Sequence, residues 1–340
     1  MRPFQRHYQA HNHPFVKVLL LLFLALPLYA AVAPPVAADS IPKSSAEAIA
    51  IVKELAAKDE QQLTYLGVVV AASRIYQLDL NTRKIEDQIQ AIADKVKAAV
   101  VKSAAAPAKI AAISKVIYMD CGFHSETELD ISPLKGDGAL DASMLHRVLE
   151  RKQGICLGLA TLYLTVTERA GLSIFPVHAP YHIFCRMEEG GSHFNIECMD
   201  NGIVIPDAMI VRNVGATPAA LKGDHYFRRL TKKEVLGDQL NNLAYDLGTR
   251  KKGPAPLTWP QLVELIDLAV KLEPKAHEIL DSSALIHFKS GDPVRALAIC
   301  DQAIELCREY GAPAEVLPSY IKRRQEYKKA VQRSKMEKVK

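Results

Sequence analysis

Three residues of this sequence, Cys156, His182 and Glu197, have types and an order that suit nucleophilic catalysis. A cysteine thiolate is a strong nucleophile, an imidazole exchanges protons near neutral pH, and a carboxylate can hold the imidazole by its N–H. A cysteine on a helix, followed by a histidine and an acid on adjacent strands, is the order of a thiol catalytic triad. The sequence therefore predicts a nucleophile, a base and an orienting acid, provided that the fold brings them together.

Cys156 begins a segment, CLGLATLYLTVTERAG, that we predict to be a helix closing at Gly171. A thiol at a helix N-terminus feels the positive end of the helix dipole, which favours the thiolate. The alternative is a small core residue, because free cysteine is among the residue types most often buried. The position of Cys156 alone leaves both roles open.

His182 begins a predicted strand, HIFCRM, and Glu197 lies in the next, FNIEC, with a hairpin signal at EEGG between them. Turns centred near Gly190 pair residue 182, 184 or 186 with residue 197. Each of these registers puts His182 and Glu197 on the same face of the sheet. The alternative for His182 is a structural, hydrogen-bonded histidine. Weaker candidates are His178 and His193 for the base and Asp200 for the acid.

Four further cysteines have expected places in the fold. The same strand parity puts Cys185 and Cys198 together on the opposite face, where they can pack or, if directly opposed, form a disulfide. Cys300 and Cys307 are i, i+7 on one predicted helix, about 10.5 Å apart along its axis, and are expected to pack in a core.

The elements that must position the triad follow from hydrophobic periodicity and turn residues. Helices are predicted over most of residues 44–120, with Ser44 or Ser45 as the first cap, and a loop over residues 121–138. A helix capped by Asp141 is predicted to run through Leu149. The predicted helices of the first region include residues 66–80 and 85–101, and the predicted strands are 173–177, 182–187, 194–198 and 203–210.

The chain is predicted to be helical again from Leu230 onward. Residues 240–274 and 279–307 each contain a predicted helix pair, and the two units resemble one another. Their small residues and the closing Pro274 resemble tetratricopeptide repeats. Two units are fewer than the three that usually form a stable array, so we expect them to pack on the preceding domain.

The first 38 residues have the pattern of an export signal. A basic segment ends at Lys17, a 16-residue apolar run extends from Val18 to Ala33, and small residues follow. This run is shorter than the roughly 20 residues of a membrane-spanning helix, and cleavage after Ala38 fits the pattern. We therefore expect a periplasmic or secreted protein. The alternative is a protein anchored in the membrane by its uncleaved N-terminal segment.

The net charge of +5 is unevenly distributed: residues 1–38 carry +3 and residues 321–340 carry +7, which leaves −5 for residues 39–320. A mildly acidic body argues against nucleic-acid binding. The basic tail is predicted to be a solvated helix end, with contact to an anionic membrane as the alternative. No metal or other cofactor is expected, because Cys and His lack metal-ligand spacing and no phosphate-binding glycine loop is present.

Six segments of the sequence, three of which contain Cys156, His182 and Glu197, carry a recognisable family pattern. They are LGVVVAASRIYQLDL from Leu66, YMDCGF from Tyr118, MLHRVLERKQGICLGLATLYLTVTERAGL from Met144, HAPYHIFCRM, NIECMDNG, and YFRRLTKKEVL from Tyr226. Together these segments resemble the transglutaminase-like superfamily, specifically its SirB1-type branch with C-terminal tetratricopeptide repeats. The resemblance extends over roughly residues 45–310.

The resemblance implies an α+β fold with a papain-like or transglutaminase-like core, in which the cysteine helix packs on an antiparallel sheet. A helical region precedes this core, and an all-α region of repeats follows it. The expected domains are a signal peptide at 1–38, an N-terminal helical region at 39–120, the core at 121–230, the repeats at 231–312 and a basic helical tail at 313–340.

By position in the resemblance, Cys156 is the nucleophile, His182 the base and Glu197 the acid of acyl transfer on peptide or amide substrates. The reaction would end in hydrolysis or in transfer to an amine. The backbone N–H of Cys156 and the side chain of Gln153 are the candidate oxyanion donors. The alternative function is a non-catalytic scaffold, in which the core and the repeats bind a protein partner.

Overall fold

The computed structural model describes residues 41–100, 105–126, 138–250 and 256–337. These residues form a mostly helical protein with a small antiparallel sheet. The predicted signal at 1–38 lies outside the described residues, as does most of the predicted loop at 121–138. Across the four described ranges, no helix combines the length and the apolar character needed to cross a bilayer.

The N-terminal region is helical, as the sequence predicts. Ser44 caps the first helix, because its side chain accepts a hydrogen bond from the Glu47 N–H. The second helix is almost wholly buried and ends at Tyr76, four residues before its predicted end, because Gln77 has an extended backbone. The helices are α1 (Ser45–Ala57), α2 (Tyr65–Tyr76), α3 (Thr82–Val100) and α4 (Ala106–Ser114), which continues as a π-helical turn over Lys115–Asp120.

Short elements lead into the cysteine helix. Strand β1 (His124–Ser125) pairs in parallel with β2 (Gln153–Gly154). The single helix predicted over residues 141–149 is wrong, because Met144 has an extended backbone with φ −87° and ψ 124°. The chain instead forms α5 (Gly138–Ser143) and α6 (Leu145–Arg151). Helix α7 (Cys156–Arg169) follows β2 and begins at Cys156, as the sequence predicts.

The described strands of the main sheet are β3 (Ile174–Ala179), β4 (His182–Glu189), β5 (Ser192–Glu197) and β6 (Ile203–Ile205), antiparallel in chain order. The predicted hairpin is confirmed: Glu189 pairs with Ser192, and the two glycines between them have φ of 61° and 78°. The strand predicted at 203–210 is wrong beyond Ile205. Pro206 ends the strand, because proline has no backbone N–H to donate to a sheet. It directly precedes α8 (Asp207–Asn213), since the fixed φ of proline suits the start of a helix.

The C-terminal region is entirely helical over its described residues, and the two predicted helix pairs are present. From Lys232 onward, each helix packs against the next one along the chain. The last of them carries the predicted basic tail, and it is fixed to the protein by the buried rings of Tyr320 and Tyr327 and by ion pairs of Arg323 and Arg324 with aspartates. The helices are α9 (Pro218–Lys222), α10 (Lys232–Thr249), α11 (Trp259–Leu272), α12 (His277–Lys289), α13 (Pro293–Tyr310) and α14 (Val316–Glu337).

Helix α7 lies at the centre of the main core, with α2 and α3 packed on it and strands β3 and β4 also in contact. Its first turn approaches the backbone of α5 closely at Gly158. A Cβ atom there would lie 2.2 Å from the Ala142 carbonyl oxygen and 2.8 Å from Val148 Cγ2. Only glycine permits this approach, which fixes the position of the helix start and therefore of Cys156.

Four of the other five cysteines are core residues, and Cys121 is partly buried. Cys185 and Cys198 lie on the same side of the β4–β5 hairpin, with their sulfur atoms 3.7 Å apart, and both are completely buried. Cys300 and Cys307 are buried in the C-terminal helices. All six cysteines of the chain lie in the described ranges, and each is a free thiol.

Candidate active site

Cys156 is the first residue of α7 and is only partly buried, whereas the residues that follow it enter the core. Ile155 precedes the helix and provides no side-chain cap, and the first turn contains no acidic residue. The positive end of the helix dipole is therefore not neutralised by a capping or acidic side chain of the first turn. A thiolate at this position is stabilised by the helix dipole and the unpaired N–H groups of the first turn.

His182 and Glu197 lie on the same face of the hairpin, as the sequence parity predicts. The register pairs Cys185 with Ile196, and alternation then turns both side chains in one direction. The Nε2 atom of His182 lies 2.8 Å from Oε2 of Glu197. Their side chains are 17% and 13% exposed, so the contact is shielded from bulk water without being closed off from it.

Both oxygens of Glu197 have a partner. While Oε2 contacts His182, Oε1 accepts a hydrogen bond from the Met199 N–H at 2.9 Å, and this caps a short 3-10 turn over Cys198–Asp200. The carboxylate is therefore held in place by the backbone and can in turn hold the imidazole. Asp200, the alternative acid, is exposed at the end of that turn and lines a neighbouring cavity.

Cys156 and His182 line one cavity, and the Cys156 thiol is among the groups that raise the pKa of His182. Because Glu197 occupies Nε2, Nδ1 is the nitrogen left for the sulfur. Burial lowers the pKa of His182, but the interactions with Cys156 and Glu197 outweigh it and raise this pKa to about 10. A raised pKa favours the imidazolium form of the ring, which is the form that pairs with a thiolate.

Two cavities meet at this ring. One, of about 170 Å³, is lined by Cys156 and His182 together with His178, Asp238 and residues of the C-terminal helices. The other, of about 560 Å³, is lined by His182 and Glu197 and by apolar residues that include Met209, Ile210 and Val214. Cys156 is thus accessible to a small group, and a larger groove begins on the far side of the imidazole.

Tyr181 and His182 stand between the two cavities and line both of them. Tyr181 has a left-handed backbone, with φ 55°, and its hydroxyl lies 2.9 Å from that of Tyr320 on α14. A left-handed tyrosine is strained and needs its surroundings to hold it. The tie to α14 therefore helps to fix the β3–β4 turn that presents His182.

Gln153 lies on the short strand β2, three residues before Cys156. Its side-chain nitrogen Nε2 is 2.8 Å from Nε2 of His124 on the paired strand β1. This contact takes one amide N–H and leaves the second. The role of Gln153 as an oxyanion donor stays a prediction.

The two weaker histidine candidates have other partners. His193 is exposed, and its Nε2 lies 2.9 Å from Oδ2 of Asp207. His178 lines the cavity of Cys156, but it stands between two carboxylates, with Nε2 3.2 Å from Asp238 and Nδ1 3.0 Å from Glu273. Burial lowers the pKa of His178, and the charges of the two acids outweigh this and hold the pKa well above its usual value.

No pattern in the sequence predicts that Glu273, Asp238 and a further buried histidine, His225, lie beside His178. These residues lie on four separate segments of the chain, and no motif or spacing connects them. The only signal was their type, because glutamate and histidine are seldom fully buried without a partner.

Comparisons with known proteins agree with the architecture. A model of the Transglutaminase-like superfamily matches residues 83–241, so the chain contains a transglutaminase-like domain. The match includes Cys156, His182 and Glu197. A comparison with curated proteins finds no match.

Among solved structures, the chain is similar to the crystal structure of menin, which is described as revealing the binding site for Mixed Lineage Leukemia (MLL) protein. The two share 14% sequence identity with a TM-score of 0.53, over 86% of this chain and 70% of that chain. At this identity the similarity shows the fold alone. The likeness extends beyond the transglutaminase-like domain, because it covers more of the chain than residues 83–241.

Proposed function

We propose that this protein is an exported thiol enzyme that transfers acyl groups from peptide or amide substrates by a Cys156–His182–Glu197 triad. The observation that carries the proposal is the position of His182, whose ring lines one cavity with Cys156 and contacts the Glu197 carboxylate at 2.8 Å. The cavity lined by both Cys156 and His182 provides the space for a carbonyl group beside the sulfur.

The reaction begins with the Cys156 thiolate, which attacks the carbonyl carbon and forms a C–S bond. The His182 imidazolium gives its proton to the amide nitrogen, the C–N bond breaks, and the amine departs. Neutral His182 then takes a proton from water or from an acceptor amine, which attacks the thioester and restores the thiolate. Throughout, Glu197 holds the ring by Nε2 and stabilises its charged form.

The negative charge on the carbonyl oxygen needs hydrogen-bond donors beside Cys156. The backbone N–H groups at the start of α7 are suited to this task, because this end of the helix has no side-chain cap. The Gln153 side chain is the second proposed donor, through the amide N–H that its contact with His124 leaves.

The larger cavity indicates what flanks the reacting bond. Its apolar wall of Met209, Ile210 and Val214 suits an apolar side chain, and Asp200 and Glu315 at the same cavity suit a positive charge. We therefore propose a peptide substrate with an apolar residue beside the reacting carbonyl.

The test is to trap the acyl-enzyme. The full chain is incubated with a mixture of short peptide amides and quenched in acid, and the Cys156 peptide is analysed by mass spectrometry. We expect a mass increase equal to the acyl part of a substrate, on Cys156 and not on Cys121, that hydroxylamine removes. Peptide consumption without modification of Cys156 would refute the covalent mechanism.

The second candidate function is a non-catalytic scaffold that binds a protein partner. It is favoured by the menin-like fold, because that crystal structure is described by its binding site for another protein. The C-terminal helices, which we assign to two tetratricopeptide-like repeats at 231–312, offer a surface for such contact. A partner that binds the Cys156→Ala variant as tightly as the wild type, with no turnover of any amide by either, would support the scaffold.

We place the chain in the SirB1-type branch, with a signal peptide at 1–38, a helical region at 39–120, a core at 121–230 and a basic tail at 313–340. Export rests on the N-terminal sequence pattern. Cell fractionation with N-terminal sequencing tests it, and a mature chain beginning at Asp39 is the expected result.

A further inference from the structure

Behind the Cys156 cavity lies a group of buried ionisable side chains that the proposed reaction does not use. His178, His225 and Glu273 each offer one nitrogen or oxygen atom, and these atoms lie within 4.8 Å of one another. His225 and Glu273 are 0% and 1% exposed, and His178 is partly buried. Histidine nitrogens and a carboxylate oxygen at such separations are a set of metal ligands.

The hydrogen bonding of these side chains is incomplete. Neither ring nitrogen of His225 and neither carboxylate oxygen of Glu273 has a hydrogen-bond partner anywhere in the described ranges. The contact between Glu273 and His178 Nδ1, at 3.0 Å, is an ion pair without hydrogen-bond geometry. Buried polar groups are normally satisfied, because leaving one unpaired costs roughly 1–3 kcal/mol. Unpaired atoms on two adjacent buried side chains therefore point to a missing common partner.

Asp238 completes the arrangement from the other side of His178. Its Oδ2 atom lies 3.2 Å from Nε2 in an ion pair that also lacks hydrogen-bond geometry, and Nδ1 lies 3.0 Å from Glu273. Metal-binding histidines commonly place their second nitrogen against a carboxylate, which orients the ring and makes it a better ligand. Asp238 is in the position of such an orienting residue.

We propose that His178, His225 and Glu273 bind one divalent transition-metal ion, with Asp238 orienting His178. Two imidazoles and one carboxylate suit Zn²⁺ and related ions, and hard cations such as Ca²⁺ prefer all-oxygen sites. Donor atoms on one tetrahedral ion lie roughly 3.4 Å apart, so small side-chain rotations close the site. A fourth position remains for water.

The ion would join parts of the chain that are far apart in sequence. His178 belongs to strand β3, His225 to the segment between α9 and α10, and Glu273 follows α11 directly. The site would therefore fasten the sheet that carries His182 to the C-terminal helices. It differs from the triad, since it contains none of Cys156, His182 and Glu197.

The test is metal binding by the full chain after treatment with EDTA, with Zn²⁺ alone as the probe. We expect one equivalent to bind and the melting temperature to rise with it. His225→Gln and Glu273→Gln each remove a ligand and should weaken binding more than ~100-fold, and Asp238→Asn should weaken it about 10- to 100-fold. His193→Gln is the matched control, because His193 also contacts a carboxylate but lies outside the cluster.

Co²⁺ separates this site from the cysteines. We expect the visible bands of tetrahedral cobalt with nitrogen and oxygen ligands, and no thiolate-to-cobalt charge-transfer band. If His225→Gln does not fold, the cobalt spectrum of the wild type and the Asp238→Asn affinity decide the question. A wild type that takes up no metal, a thiolate spectrum, or equal affinity in the wild type and the Glu273→Gln variant would overturn the proposal.

Discussion

Replacing Cys156 with alanine is expected to reduce acyl-transfer turnover by at least about 10⁴-fold, because it removes the atom that forms the covalent bond. The residual rate would come from substrate binding and the helix N-terminus alone. The side chain is only partly buried, so the fold should be retained. Steady-state turnover of a peptide amide identified by acyl-enzyme trapping is the measurement, with the melting temperature recorded for each variant.

Cys121→Ala is the matched control. Cys121 is the other cysteine of the chain with intermediate burial, and it lies outside both cavities that meet at His182. We expect its turnover to stay within about threefold of the wild type. A Cys156→Ala protein that keeps its turnover would exclude the thiol mechanism and leave the scaffold function as the better interpretation.

Replacing Glu197 with glutamine is the second large effect, with an expected loss of about 10²- to 10⁴-fold in kcat. The amide is nearly the same size as the carboxylate but cannot stabilise an imidazolium by its charge. The His182 pKa, which the carboxylate helps to hold at about 10, should fall in this variant. Turnover against pH gives the loss in rate, and the His182 resonances in an NMR titration give the pKa.

The Asp200→Asn variant distinguishes Glu197 from Asp200, the two residues that the sequence offers as the acid partner of His182. Asp200 is exposed, and it is Glu197 that contacts the His182 ring. We therefore expect Asp200→Asn to lose less than about threefold in kcat. A larger loss for Asp200→Asn than for Glu197→Gln would show that the acid has been assigned to the wrong residue.

The shared face of His182 and Glu197 could be predicted because strand parity is a strict rule. Once the hairpin turn is placed at the two glycines, each register that this turn allows puts the side chains of His182 and Glu197 on one face of the sheet. The observed register, in which Cys185 pairs with Ile196, follows this rule. The start of α7 at Cys156 was likewise predictable from the apolar run. Local rules of this kind depend only on neighbours in sequence.

Other features depend on contacts that no local rule describes. The extended backbone at Met144 divides a predicted helix into two helices. The break accompanies burial of the Met144 side chain, which is 1% exposed. The partner of Gln153 is His124, 29 residues earlier in the chain. The cluster of His178, His225 and Glu273 spans 95 residues. The sequence predicts no metal site, because its Cys and His residues lack the short, regular spacing of common metal-binding motifs.

We propose that Cys156 and His182 form a reactive pair in the resting protein. The most direct test is the rate of Cys156 alkylation against pH in the wild type and in His182→Ala, with each cysteine followed by mass spectrometry. We predict fast labelling well below the pKa of a free thiol, about 8.5, that is lost in this pH range in His182→Ala. A wild-type rate that rises only near pH 8.5 and is unchanged in His182→Ala would contradict the claim.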